Sequence, residues 1–215
     1  MTDTTTDTID RLAGLAQGDP SFTTRHEREK VALATQACED LLLGNQLDSA
    51  LTQAERLVLA AEQARVSGVA TLEADYRARA EALSDAITPE LRTILDQPDA
   101  QTGNARMDAM LHFVRTLALN PAESDQAALL AIPAAGLSLN DTVLLAQLIG
   151  FVAYQARLLV GAKAMSDMGG VADTPAAEPA AAAPFVHPAN LPPPGEPLRR
   201  NGFTSEVLDW KAWLE

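Results

Sequence analysis

The sequence is poor in cysteine and in aromatic residues. Cys38 is the single cysteine among 215 residues, so the chain has no internal disulfide and no zinc site built from several cysteines. Aromatic residues make up 4% of the chain, and runs of Val, Ile and aromatic residues that would indicate strands are nearly absent. Ala and Leu are abundant instead, and both are strong helix formers. These features together predict an all-α body.

Basic residues are also scarce. The chain has 16 Lys and Arg against 29 Asp and Glu, which gives a formal net charge of -13. Nucleic acids and anionic lipid surfaces attract Lys and Arg, so we expect neither as a partner. The opening MTDTTTDTID has neither the basic nor the apolar region of a secretory signal. We therefore expect a soluble, cytoplasmic protein.

One apolar run is long enough to cross a bilayer. It is TVLLAQLIGFVAYQARLLVGAKAM, from Thr142 to Met165, and about 20 apolar residues suffice for a span. The run also holds two glutamines and two basic residues, and charges near the middle of a span are costly. We predict a long, buried central helix of a bundle rather than a membrane span.

Helical spacing and stop signals divide the N-terminal part of the chain. TIDRLAGLA predicts a short first helix that docks on the body through Ile9 and its neighbours. A second helix is predicted from about residue 24 to 43, ended by Gly44 in a left-handed conformation. Cys38 lies on this helix among apolar residues, which predicts a small buried side chain rather than a reactive thiol.

Capping residues predict the next helices. TQAE places Thr52 as N-cap and Glu55 three positions later, which is a capping box. That helix ends near Ser67 and Gly68, and another runs from about residue 69 to 84. Two further helices are predicted to begin at "TPEL" and at "SLND".

The composition changes after residue 168. Residues 169–200 hold eight of the thirteen prolines and many alanines, which predicts an extended Pro/Ala-rich linker. Residues 201–215 contain both tryptophans, and their apolar residues fall on one face of a short amphipathic helix. So short a helix is marginal alone, and Trp is a frequent interface anchor. We predict that this segment docks onto another surface through Phe203, Val207, Trp210, Trp213 and Leu214.

Three stretches share their order with a known superfamily. They are TIDRLAGLA, then LTQAERLVLAAEQARVSGVATLEADYRARA, then a stretch from AMLHFVRT through AGLSLND to the long apolar helix. In this order they resemble the alkylhydroperoxidase D and carboxymuconolactone decarboxylase superfamily, over most of residues 9–168. The resemblance implies an alkylhydroperoxidase D-like helical domain at 1–168 that forms oligomers through helical faces.

The C-terminal segment carries a second resemblance. GFTSEVLDWKAWL is similar to a segment near the N-terminus of the peroxidase-related branch of that superfamily. One hypothesis is that the chain is the front half of what is elsewhere a fused two-domain protein. The other is that the segment docks in a groove, in cis or in trans, as a partner's segment would.

Peroxidase members of the superfamily carry Cys-x-x-Cys-x-x-x-His at the start of a helix, with a Glu on the helix before it. The helix N-terminus stabilises a thiolate, and His and Glu relay its proton. The resemblance places the cysteines at Val69 and Leu72, the His at Tyr76 and the Glu near Leu57. These residues cannot run a thiol–disulfide cycle, so the motif face is predicted to be packing.

Three functions are consistent with this sequence. The first is a non-catalytic subunit in peroxide or antioxidant metabolism, which forms a homo-oligomer or associates with a peroxidase-related homologue. The second is an enzyme of the same family, lactone decarboxylase-like or peroxidase-like, that uses other residues of the same pocket. The third is a binder of a small apolar ligand. No P-loop, GxGxxG or HExxH motif occurs, so no cofactor or metal is expected.

The enzyme hypothesis draws on four further residues besides Tyr76. Each of them also has a structural interpretation: Glu55 as part of the cap, His112 as a core or interface histidine, and Arg157 as the partner of a carboxylate. Glu62 lies on the helix that carries the motif's Glu position. The enzyme hypothesis gains if His112, Tyr76 and a carboxylate meet at one cavity.

Overall fold

The computed structural model describes residues 7–97, 99, 101–121 and 126–169, without the side chains of 126–128. Every long regular element in these ranges is an α-helix, which confirms the predicted all-α class. The linker from residue 170 onward and the Trp-containing segment lie outside the described residues. The α-helices of the described ranges are α1 (Thr8–Ala13), α2 (Pro20–His26), α3 (Glu29–Leu43), α4 (Gln53–Val66), α5 (Ala70–Glu81), α6 (Pro89–Asp96), α7 (Ala105–Leu119), α8 (Gln126–Ala134) and α9 (Leu139–Asp167).

The predicted capping signals all start helices. Thr52 accepts a hydrogen bond from the Glu55 amide, and the Glu55 carboxylate accepts one from the Thr52 amide at 2.8 Å, which completes the capping box of α4. Thr88 caps α6 and Ser138 caps α9, each accepting from an amide three residues later. Such contacts are local, so sequence alone places them well.

The predicted helix from residue 24 to 43 is wrong in its first part. The chain forms α2 and α3 with a break at Arg28, whose backbone leaves the helical region. Tertiary ion pairs hold α2 in place: Arg25 binds Asp7 and Asp10, each at 2.9 Å, on the α1 side of the fold. His26 also reaches Asp10 at 2.8 Å. Helical periodicity carries no information about such long-range pairs.

Two further expectations for α3 are wrong. Gly44 does end the helix, but with φ -79° and ψ -177° it is extended and not left-handed. Cys38 is exposed and not buried, and the neighbouring Leu33 and Leu41 are exposed as well. Tertiary packing turns the other face of α3 inward, the one that carries Ala32, Thr35, Glu39 and Leu43.

The central helix of the fold is α4 rather than α9. Ten of its fourteen residues are buried, and it packs against α5, α6, α7 and α9. The predicted long helix exists as α9, but it buries one stripe, from Thr142 through Leu145, Ile149 and Val152 to Leu159. Its opposite face is exposed although much of it is apolar. An all-round apolar helix is expected to be buried, which is why the sequence favoured α9 as the centre.

The α9 helix is also the one described helix that is long and apolar enough to cross a membrane, and 39% of its most apolar window is buried in this fold. A single helix of this kind is weak support for a membrane span, because core helices of soluble proteins have the same composition. It packs along one side against α1, α2, α4, α7 and α8.

A buried arginine fixes the connection between α3 and α4. Arg56 is 2% exposed and donates from Nε to the Leu42 carbonyl at 2.7 Å. Its Nη atoms donate to the carbonyls of Gly44 and Leu51. Burial lowers the pKa of the Arg56 guanidinium, and the charge of Glu55 partly opposes that shift. One side chain therefore satisfies a carbonyl at the end of α3 and two carbonyls of a connection that has no regular structure of its own.

Candidate functional site

The break between α4 and α5 carries the positions that the resemblance assigns to chemistry. Gly68 adopts φ 73°, a left-handed conformation that favours glycine, and the Val69 amide donates back to the Ala64 carbonyl at 3.0 Å. Val69 is the N-cap of α5. Leu72 and Leu57 are fully packed into the core, while Val69 lies at the edge of a surface groove. The predicted break between two helices is therefore present, and Leu57, Val69 and Leu72 around it are apolar.

Tyr76 faces a closed polar network and not a cavity. Its ring is fully buried, and its hydroxyl donates to Gln155 Oε1 on α9. Gln155 Nε2 donates in turn to Glu39 Oε2 on α3 at 2.5 Å. Glu39 also accepts from Thr8 Oγ1 at 3.0 Å and from Arg79 Nη1 at 2.5 Å. The network ties α1, α3, α5 and α9 together through side chains alone.

The electrostatics of this network keep Tyr76 neutral. Burial raises the pKa of the Tyr76 hydroxyl far above its usual value, and the nearby charge of Glu39 raises it further. Arg79 lies 5.6 Å from the centre of the Tyr76 ring, and its charge opposes the rise. A phenol held this way donates one hydrogen bond and cannot act as a general base at neutral pH.

Glu62 forms a second buried cluster on α4. Its side chain is 2% exposed and accepts from Arg65 at 2.6 and 2.8 Å and from Arg115 on α7 at 2.6 Å. Burial by itself would raise the pKa of the Glu62 carboxyl, but the hydrogen bonds and charges of the two arginines hold that pKa below its usual range. An ionised carboxylate with both oxygens occupied ties α4 to α7 and has little capacity left for proton transfer.

The remaining candidates lie apart from one another. Glu55 completes the capping box, as its structural interpretation predicted, and it also pairs with Arg106 on α7. His112 is exposed on α7, so it is not a core histidine, and its interpretation as an interface histidine stays a prediction. Arg157 is exposed on α9 and donates to the Ala153 carbonyl at 2.8 Å. Within the described ranges no carboxylate lies at ion-pair distance from Arg157, so the predicted pairing is not found there.

A groove of about 850 Å³ runs between α4, α7 and α9. It begins at the α4–α5 break and follows α9 from Ala146 to Gly161, which we call the outer face of α9. Three polar side chains line it, Gln63, Ser67 and Arg157, and its other walls are mostly apolar. Tyr76, Leu72, His112, Glu55 and Glu62 do not line it. The apolar walls include Val66, Val69, Phe113, Leu117, Ile149 and Val160.

A second depression lies at the other end of the α9 outer face. We call it the α8–α9 patch; it encloses about 610 Å³ between Leu129, Leu130, Pro133, Leu139 and Val143. Its large side chains are unusually open to solvent, with Leu139 70% and Val143 57% exposed. Contiguous exposed apolar surface of this kind marks interaction sites on soluble proteins. The groove and the patch meet at Ala146, which lines both.

Sequence reasoning missed several polar residues that are buried in the structure. Gln63, Arg56 and Glu39 are long polar side chains that the fold buries. The signal for Arg56 is its position on the buried side of a predicted amphipathic helix, between Ala54 and Leu57. Gln63 and Glu39 carry no such signal, because their burial depends on helices that are distant in sequence.

No protein-family model matches the sequence, and no curated protein matches it as a relative. The resemblance to the alkylhydroperoxidase D and carboxymuconolactone decarboxylase superfamily therefore stays a prediction drawn from the order of the helices and the position of their break.

Proposed function

We propose that the chain is a non-catalytic, alkylhydroperoxidase D-like subunit that works in the cytoplasm by associating with another protein chain. The observation that carries this proposal is the α8–α9 patch, with its exposed leucines and valine beside a shallow depression. The family resemblance supplies the context, which is peroxide and antioxidant metabolism. The motif positions support the absence of thiol chemistry, because Val69, Leu72 and Leu57 are apolar and Tyr76 is locked in a hydrogen bond.

Charge also favours the α8–α9 patch as the meeting surface. Two copies of a chain with a net charge of -13 repel one another over most of their surface. The described residues that line the patch are apolar apart from Thr142 and Gln147, and none of them is acidic. A second copy is therefore the first partner to test, and a peroxidase-related homologue is the alternative partner.

The enzyme alternative has less support. The groups it needs, His112, Tyr76 and a carboxylate, do not converge on one cavity among the described residues. A fully buried tyrosine and an exposed histidine cannot share one substrate without large rearrangement.

The association is tested by light scattering after size-exclusion chromatography of the full chain. We expect a particle larger than the 22.8 kDa monomer, which Leu130→Glu combined with Val143→Glu reduces to the monomer. Leu33→Glu is the matched control, because Leu33 is at least as exposed but lies on α3, away from the patch. If the chain is monomeric alone, a peroxidase-related homologue is added, and a monomer under both conditions contradicts the proposal.

The absence of catalysis has its own measurement. Peroxide reduction with a dithiol reductant is expected to match a blank without protein. Turnover that rises with the concentration of the chain rules out a non-catalytic role, provided that a mock purification from cells lacking the gene shows none.

A further inference from the structure

We infer that the groove between α4, α7 and α9 binds a small, apolar monocarboxylate that also carries a hydroxyl group. This site differs from the α8–α9 patch and goes beyond association. The inference rests on three features of the groove. It has a buried amide with an unsatisfied polar atom, an exposed cation among the residues that line it, and an apolar interior large enough for a small ligand.

Gln63 supplies the first feature. It is 2% exposed and lines the groove, yet its Oε1 has no hydrogen-bond partner in the described structure. Its Nε2 makes one long contact, 3.4 Å to Ser67 Oγ. A buried polar atom without a partner is destabilising by about 1–3 kcal/mol, so folded proteins rarely leave one unless something else satisfies it.

The amide of Gln63 offers a defined partner to a ligand. A serine hydroxyl both donates and accepts, so either the nitrogen or the oxygen of the Gln63 amide can be placed against Ser67. In either orientation one polar atom of Gln63, a residue that lines the groove, is left without a partner. A ligand hydroxyl satisfies either atom, since it too both donates and accepts.

Arg157 supplies the second feature. Arg157 lines the same groove and is exposed, and the described part of the groove contains no acidic side chain. Arginine binds carboxylates through paired, charge-assisted hydrogen bonds. A cation on an otherwise apolar wall of a strongly acidic protein therefore selects an anionic group on the ligand.

The size and walls of the groove supply the third feature. Pockets for small ligands enclose about 300–1,000 Å³ and are mainly apolar with a few polar groups, and this groove encloses about 850 Å³. Gly150 forms part of its wall on α9, and a Cβ added there would meet no atom within 4 Å. The absence of a side chain at Gly150 keeps the groove open where larger residues would fill it.

The test is a calorimetric titration of the full chain with 10-hydroxydecanoate, with decanoate and 1,10-decanediol as comparison ligands. We expect 10-hydroxydecanoate to bind most tightly. Arg157→Gln should weaken it by about tenfold, the loss of one charge-assisted interaction, and should leave decanediol unchanged. Gln63→Leu should remove the preference for 10-hydroxydecanoate over decanoate and should raise the melting temperature of the free protein.

Two variants of α9 locate the binding. Gly150→Phe is expected to abolish binding by filling the groove, whereas Ala164→Phe, on an exposed part of α9 outside the groove, leaves it unchanged. Absence of binding up to millimolar concentrations of all three ligands overturns the inference. So does equal binding by Gly150→Phe and the parent chain.

The failure of this inference is separable from failure of the proposed association. The Leu130→Glu and Val143→Glu double variant is expected to lose association and keep ligand binding. If Gly150→Phe changes the oligomeric state while the parent chain binds no ligand, the groove is a protein interface, and the ligand-binding inference is wrong.

Discussion

Tyr76 lies at a position to which the family resemblance assigns chemistry, but in this structure its side chain is part of a buried hydrogen-bond network. Its hydroxyl donates to the Gln155 amide oxygen, and the Gln155 amide nitrogen donates in turn to the Glu39 carboxylate. All three side chains are almost completely buried. Inside a protein such a network is strong when complete and expensive when one member is missing.

Tyr76→Phe removes one hydroxyl and leaves Gln155 Oε1 buried without a donor. We expect the free energy of unfolding to fall by about 1–3 kcal/mol, measured by urea denaturation. Tyr154→Phe is the matched control: Tyr154 also makes one hydroxyl contact, 3.1 Å to Thr35, but is 42% exposed, so water replaces the partner. Equal losses in the two variants would contradict a special role for the buried network.

Glu62 gives stability a defined dependence on pH. Its folded pKa lies below the usual value near 4.5, so the unfolded chain takes up the proton first as pH falls. The stabilisation from Glu62 is complete above pH 4.5 and is lost as pH falls below it through the folded pKa.

Glu62→Gln should therefore lower the free energy of unfolding at pH 7 by about 3 kcal/mol, because two arginines lose a buried partner. The difference from the parent chain should shrink at pH 3. Glu81→Gln, which removes an exposed pair with Arg77, is expected to change stability by less than about 1 kcal/mol at either pH. A Glu62→Gln difference that is equal at pH 7 and pH 3 is inconsistent with this assignment.

At the scale of elements, the helices differ in how their glycines are used. Gly44 ends α3 with ordinary φ, but a Cβ there would lie 2.2 Å from the Asp40 carbonyl oxygen. Gly150 lies inside α9, where a Cβ meets open space. The first glycine is required by a close backbone approach, and the second is not required by the packing of this chain.

The two glycines predict opposite effects of the same substitution. Gly44→Ala should destabilise the protein by about 1–3 kcal/mol, because the backbone must shift to relieve the overlap. Gly150→Ala should stabilise it by about 0.5–1 kcal/mol, because alanine loses less freedom in a helix than glycine. Thermal unfolding followed by circular dichroism measures both, and a loss of stability in Gly150→Ala contradicts the open wall.

At the scale of the whole molecule, α9 contributes to two neighbouring apolar surfaces, the groove and the α8–α9 patch. The groove is lined by a cation and a buried amide, whereas the described lining of the α8–α9 patch is apolar apart from the uncharged Thr142 and Gln147. This difference in polar groups is the reason for assigning a small ligand to the first and a protein to the second.

The predicted docking segment at residues 201–215 is tested by a chain that ends at residue 168. If this segment takes part in assembly, the shortened chain elutes from a size-exclusion column as a smaller assembly than the full chain, beyond the mass removed. Replacing Trp210 and Trp213 by alanine in the full chain should reproduce the effect. An unchanged assembly in both cases means that the segment does not contribute to it.

The sequence by itself determined the local features of the fold. The α4 capping box, the caps at Thr88 and Ser138 and the turn at Gly68 were all predictable, because each depends on contacts within a few residues. The all-α class followed from composition and helical periodicity for the same reason.

The tertiary structure decided which faces are buried and therefore which residues are available. It placed Cys38 on the surface, made α4 the centre of the fold and left Gln63 unsatisfied beside an open groove. Gln155 meets residues 79 and 116 positions away. Helical periodicity describes a helix and its faces, but the burial of each face depends on partners that are distant in the chain.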